Sequence, residues 1–202
     1  MDRAADMIDV AFALQGDAMP HEHRYALADA LQLALPWLDS DPRAGVHRLK
    51  LVRSGDGADL VSPRTRLIVR VPRQRADETC ALAGTELRLG AYRLRAGRAQ
   101  RRELLPHGTL HAWLVATDAT DESAFLAQVQ GELHALDVRT PPVCGRWLST
   151  EGGRLRGCSL MLSGLDTAHS MVLLQRGLGP HRRLGCGLFV PHRSAAAVGT
   201  PA

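Results

Sequence analysis

Apolar and polar positions alternate at the start of the chain. Ile8, Val10, Phe12 and Leu14 are separated by Asp9, Ala11 and Ala13, the period of a half-buried strand. Pro20 then opens a predicted helix, with Glu22 in the first turn where a negative charge meets unpaired amides. Ala26, Leu27, Ala30, Leu31, Ala34 and Leu35 recur at helical spacing, and Pro36 ends the run. Residues 46–52 read as a second strand and Gly55 to Gly57 as a turn. Over 65–71, Leu67, Val69 and Val71 take one face while Arg66, Ile68 and Arg70 take the other. Residues 77–83 read as a helix capped by Gly84, and 87–94 as a strand with Gly90 at a bulge or turn.

That order recurs. Leu110, Ala112, Leu114 and Ala116 alternate as a strand. Residues 121–136 predict an acidic amphipathic helix with Phe125, Val129, Leu133 and Leu136 inward. Residues 141–148 are irregular or a short strand, and 155–162 a strand. Asp166 caps a helix carrying Met171, Leu174 and Leu178, and 187–190 forms the closing strand. Two consecutive split βαβ units predict an α+β fold of two tandem ferredoxin-like (βαββαβ) domains with a C-terminal glycine-rich loop. Their expected bounds are 1–105 and 106–193, with 194–202 a disordered tail.

Composition supports a packed core, since 45% of the 202 residues are hydrophobic. Only 4% are aromatic, which argues against recognition of many stacked bases. Charge changes the picture more. Lys50 is the only lysine, and the arginines are clustered. Residues 64–102 hold 11 Arg against 3 acids, residues 139–202 hold 8 against 2, and residues 103–137 hold 6 acids with no Arg or Lys. Two basic blocks suit phosphate neutralisation, although scattered arginines more often form a solvated surface.

Cys80, Cys144, Cys158 and Cys186 contain no Cys-x-x-Cys pair, so neither a zinc knuckle nor a disulfide framework is expected. His21 and His23 stand two apart and point to different helix faces, and no metal or other cofactor is expected. Asp2, Asp6 and Asp9 interrupt the first residues, so no signal peptide is read. No apolar run is long enough for a bilayer. The expectation is a reduced, cytoplasmic protein with no membrane partner.

The most informative stretch is 177–191. Gly177, Gly179, Gly185 and Gly187 form two Gly-x-Gly pairs around His181, Arg182 and Arg183, and an apolar run follows. Glycines permit close backbone approach, and arginine forks suit phosphate oxygens. It is no Walker loop, because Cys186 follows Gly185, and no dinucleotide fingerprint, because Arg182 takes the third glycine's place. A plain glycine-rich turn is the bland alternative.

The duplicated ferredoxin-like pattern, the Met19-Pro20-His21-Glu22-His23 segment after the first strand, Leu82-Ala83-Gly84, and the segment from Gln175 to Pro191 together resemble the CRISPR-associated repeat-processing endoribonucleases. These belong to the superfamily of repeat-associated mysterious proteins (RAMP), and the match is nearest the branch from myxobacterial-type systems. The resemblance spans about Ile8 to Pro191, and the terminal loop is its specific part. It implies an enzyme that cuts the repeat of a precursor transcript to release guide RNA, without metal. The ribose 2′-hydroxyl attacks the adjacent phosphorus and leaves a 2′,3′-cyclic phosphate. It implies repeat RNA as partner, before and after cutting, and other surveillance-complex subunits.

RNA brings its own nucleophile, so the protein need only move protons and stabilise charge. His23 is the favoured catalytic histidine, and His21 competes with it. Tyr25 is a candidate to position the histidine or the phosphate, with a half-buried aromatic as the bland alternative, and Lys50 on the next predicted strand is a candidate to stabilise the phosphorane, with an exposed strand lysine as the bland alternative. Arg182, Arg183, His181, Arg176, Gly177, Gly179, Gly185 and Gly187 are the expected RNA contacts of the loop, and Arg66 and Arg70 are candidates to track backbone phosphates from their strand. The rival reading is a non-catalytic subunit that binds repeat RNA. Further rivals are an interaction module without an RNA role and, more weakly, a metal nuclease.

Overall fold

The computed structural model describes residues 5–55 and 57–192. The opening alternation forms β1 (Met7–Gln15). It is followed by β2 (Ala18–Pro20), α1 (Arg24–Ala34), β3 (Gly45–Val46), β4 (Val52–Arg53), β5 (Ala58–Leu60), β6 (Arg66–Pro72), α2 (Ala76–Cys80), β7 (Glu86–Leu89) and β8 (Tyr92–Arg102). The second half holds β9 (Thr109–Ala116), α3 (Glu122–Ala135), β10 (Pro142–Thr150), β11 (Leu155–Ser163), α4 (Thr167–Arg176) and β12 (Phe189–Pro191). One antiparallel sheet has the order β3-β6-β1-β8-β7 and the other β10-β11-β9-β12. In each, the first strand sits between the third and the last, as a ferredoxin-like unit requires. The fold is therefore α+β with two tandem ferredoxin-like lobes.

Local chemistry explains most elements. Phe12, Val10, Leu67, Val69 and Val71 are buried from the two central strands of the first sheet, under Leu27, Leu31 and Leu38. Phe125, Val129 and Leu133 of α3 and Leu173 and Leu174 of α4 cover the second sheet. Asp121 and Asp166 cap these helices by accepting from Ala124 N–H and His169 N–H (2.9 and 2.7 Å), each worth about 1 kcal/mol. Gly90 turns the β7–β8 hairpin with φ +61°.

Several expectations are corrected. Pro20 ends β2, which pairs with β5, and α1 begins at Arg24 with His23 as its N-cap. Glu22 is thus outside the helix. Residues 46–52 do not form one strand. β3 stops at Val46, and β4 joins β2 and β5 in a separate three-stranded sheet, leaving Lys50 between strands. Residues 142–150 are a full strand. Cys144 and Cys158 form a disulfide across the β10–β11 hairpin, with Cα atoms 6.3 Å apart. They stand 14 positions apart in the chain, so only the folded hairpin makes them neighbours. The expected tail, 194–202, lies outside the described residues. Among the described residues no helix is long and apolar enough to cross a membrane.

Arg70 joins the lobes. It is 2% exposed and forms a bidentate pair with Asp9 (2.8 and 3.0 Å). Its Nη1 also donates to Leu174 O and Phe189 O of the second lobe (2.7 and 3.1 Å). Four of its five N–H donors are spent inside the protein and the side chain is buried, so Arg70 ties the lobes together and is not placed to contact RNA.

Candidate active site

A narrow cavity lies where the start of α1 meets the glycine-rich segment of the other lobe. His23, Arg24, Leu27, His47, Arg48, Leu49, Arg183 and Leu184 line it. His23 reaches it because its carbonyl begins the helix, accepting from Leu27 N–H at 2.8 Å. Its ring Nδ1 lies 3.0 Å from Pro20 O and 3.1 Å from His21 O. Both neighbours can only accept, so Nδ1 carries the hydrogen and Nε2 keeps its lone pair. His23 is 8% exposed. Burial first, and the adjacent Arg24 charge second, hold its pKa below the ordinary histidine value of 6.5. The ring is therefore neutral at neutral pH, with a free nitrogen able to take a proton. His23 caps α1 and does not lie inside its first turn.

Cations surround the cavity. Arg24 and Arg48 hold their guanidinium carbons 4.4 and 4.5 Å from the centre of the Trp113 ring. Arg24 is committed, since its Nη1 donates to Leu184 O at 2.6 Å. Arg48 is exposed, and among the described residues its guanidinium has no hydrogen bond or ion pair. Stacking fixes its plane while leaving its donors free, which suits an anion. Arg183 comes from the other lobe and pairs with Asp39.

The expected residues divide unevenly. His21 sits apart from this cavity; its Nδ1 lies 2.8 Å from Asp59 Oδ1, within ion-pair reach but not aligned as a hydrogen bond. Tyr25 faces the β10–β11 turn, under the Arg154 guanidinium at 4.1 Å. Lys50 is exposed outside the cavity, whose lining takes Arg48 and Leu49 from its stretch. Arg182 turns back into its own loop and donates to Gly179 O at 2.9 Å. His181 and Arg176 are exposed. Arg66 is half-buried, and its Nη1 donates to Pro63 O and Thr65 O. Beside it on the open sheet face lie Arg98 and Arg102, over a floor of Ala11, Ala13 and Ala99.

The glycines have a different use from the expected one. Gly177 N–H donates to Leu173 O, Gly179 N–H to Glu132 Oε2, Gly185 N–H to Arg182 O, and Gly187 N–H to Leu114 O. All four donors are spent inside the protein, so none faces a ligand. Gly187 has φ +66°, and a Cβ there would lie 1.8 Å from Leu178 O. At Gly185 a Cβ would come 2.8 Å from Arg24 Nη1. The segment needs glycine so that it can fold tightly against α1 and β9.

Sequence reasoning missed Arg24, Arg48, Trp113 and Glu151. Arg24 carries a readable signal, because it lies three and four residues before Leu27 and Ala28 on the buried helix face. Arg48 and Trp113 carry none, since the contact that matters joins residues from different lobes. Glu151 is 1% exposed at the tip of the β10–β11 hairpin, and its Oε1 accepts from Arg24 N–H at 3.3 Å. Burial pushes its carboxyl above the ordinary glutamate range.

The family model for Cas6 (Cas6 Crispr) matches residues 8–194. The CRISPR-associated endonuclease Cas6 of Myxococcus xanthus (strain DK1622) is 34% identical over 194 residues, covering 95% of this chain and 84% of its own. Among solved structures, a CRISPR-associated protein Cas6 aligns with TM-score 0.64 at 13% identity, covering 93% of this chain and 100% of that one. A RAMP protein described as binding different RNA substrates aligns with TM-score 0.57 at 13% identity, covering 91% and 98%. The fold agrees with the structural neighbours, and the sequence match runs from the first strand past the last: this chain belongs to the Cas6 family.

Proposed function

We propose that this protein is a metal-independent endoribonuclease that cuts CRISPR repeat RNA in a precursor transcript. The supporting observation is the cavity that joins a neutral His23, its Nδ1 fixed on two carbonyls, to the uncommitted guanidinium of Arg48. The kinship with an endonuclease of 34% identity supports the same reading.

The ribose 2′-hydroxyl upstream of the cut transfers its proton to His23 Nε2 and attacks the adjacent phosphorus. The leaving 5′-oxygen takes a proton from solvent, giving a 2′,3′-cyclic phosphate and a free 5′-hydroxyl, and His23 returns its own proton to solvent. Arg48, in the place first assigned to Lys50, neutralises charge on the equatorial phosphoryl oxygens, and Arg183 adds to the field from the other lobe. Arg66, Arg98 and Arg102 carry the strand across the open face of the first sheet, where alanines let a backbone lie close. Arg176 and His181 extend the contacts at the loop. The product stays bound, and the protein serves as a subunit of a surveillance complex.

The test is incubation of the purified protein with candidate repeat RNAs in the presence of a chelator, followed by mapping of both new ends. Cleavage at one position with a cyclic phosphate is expected. A 3′-hydroxyl product, or cutting that stops with chelator, overturns the mechanism.

A further inference from the structure

At the start of α1 two hydrogen bonds cross between the lobes in opposite directions. His23 caps the helix without a side-chain bond, so the first amide of α1 needs an outside acceptor. Glu151 Oε1 supplies it to Arg24 N–H at 3.3 Å. In return, Glu22 Oε1 accepts from Gly152 N–H at 2.5 Å. Glu151 also stands 3.8 Å from Arg24 Nε, whose guanidinium holds Leu184 O of the glycine-rich segment. One side chain therefore reaches the hairpin tip, the helix start and the loop.

The backbone says that this carboxylate is kept for a reason. Glu151 has φ +55° and is followed by Gly152 and Gly153 at +64° and +86°. Glycine would take that left-handed position without strain, as its two neighbours do. Glu151 is nevertheless almost wholly buried, and its Oε2 has no hydrogen-bond partner among the described residues. Ordinary turn formation explains neither the strain nor the buried charge.

We propose that Glu151 is a positioning residue for His23. It fixes the first turn of α1 from the opposite lobe, and so sets the imidazole against RNA bound across both. This rests on the endoribonuclease reading above. The Arg154 guanidinium over the Tyr25 ring braces the same junction one residue further along the helix.

The experiment compares wild type with Glu151→Gly, Glu151→Gln and Glu22→Ala by single-turnover cleavage, RNA affinity, thermal melting and ¹⁵N-histidine NMR. Glu151→Gly relaxes the left-handed turn and deletes the acceptor. It is expected to melt close to wild type, to bind RNA with unchanged affinity and to cut about 10- to 100-fold more slowly, the scale of a small misplacement of a reacting group. The His23 ring signals should move. Glu151→Gln keeps an acceptor for Arg24 N–H and should recover most of the rate and the wild-type ring signals. Glu22→Ala alters the exposed half of the clamp. It should slow cutting less, in the same direction, and it carries the test if Glu151→Gly does not fold. Wild-type rates with unmoved His23 signals in Glu151→Gly and Glu22→Ala overturn the proposal, as does a rate loss that only follows lost melting temperature. An inactive wild type would count against the endoribonuclease reading instead, and the NMR arm would still decide the positioning role.

Discussion

The two regions that meet at the cavity treat their polar groups in opposite ways. The glycine-rich segment, which attracts most notice in the sequence, consumes its own donors. Its four glycine amides and Arg182 all bond within the protein. The start of α1 is plain in sequence, yet it and the adjoining stretch leave groups unspent. His23 keeps a lone pair on Nε2, and Arg48 keeps its donors. A conspicuous motif here marks a difficult packing problem, and the proposed chemistry sits on the surface it packs against.

Breaking the scaffold should cost stability. The largest effect is expected for Arg70→Leu, which strands Asp9 beside half-buried His47. A loss of about 3–5 kcal/mol is expected in denaturant unfolding. Gly187→Ala comes next at about 3 kcal/mol, because a Cβ has no room and the backbone is left-handed. Gly84→Ala, also left-handed but in open space, should cost only about 1 kcal/mol and serves as the control.

Breaking the chemical side should cost rate and spare stability. Arg48→Ala is expected to lower single-turnover cleavage about 100-fold with an unchanged melting temperature, while Lys50→Ala has little effect. Equal losses from both would return the role to Lys50. Smaller still, Arg66→Ala and Arg98→Ala should each reduce the salt dependence of RNA binding by about 0.7 of a log unit per log unit of salt.

Acidification touches both sides. Burial holds His23 and His47 below 6.5 in the folded chain, so the unfolded chain binds those protons first as pH falls. Stability should therefore decline as pH drops below about 6.5. Asp9, held far below its usual 3.8, adds a second decline beneath that value. The acid limb of the cleavage rate should likewise lie below 6.5. A limb at or above it would show that the His23 ring is not buried in the active state.

Much of the fold was legible in sequence because it is local. The alternation in β1, β6 and β9, the Asp121 and Asp166 caps, and the stripe of α1 each declare themselves within a few residues. The three-stranded sheet and the Cys144–Cys158 link did not, since both depend on partners that only folding brings near. Among the candidate site residues, His23's position beside the cavity follows from its place before the apolar stripe. Arg70 misled, because alternation places it on a face without revealing that the face is covered by the other lobe. Glu151 was hidden for the same reason: its partner is a backbone amide 127 residues away.

The central claim is that His23 supplies the base while the glycine-rich segment holds the structure around it. The direct measurement is cleavage and affinity of His23→Ala on repeat RNA, beside wild type and with chelator present. The account predicts that cutting is abolished while RNA binding and melting temperature are retained. Cutting by His23→Ala at the wild-type rate would contradict it.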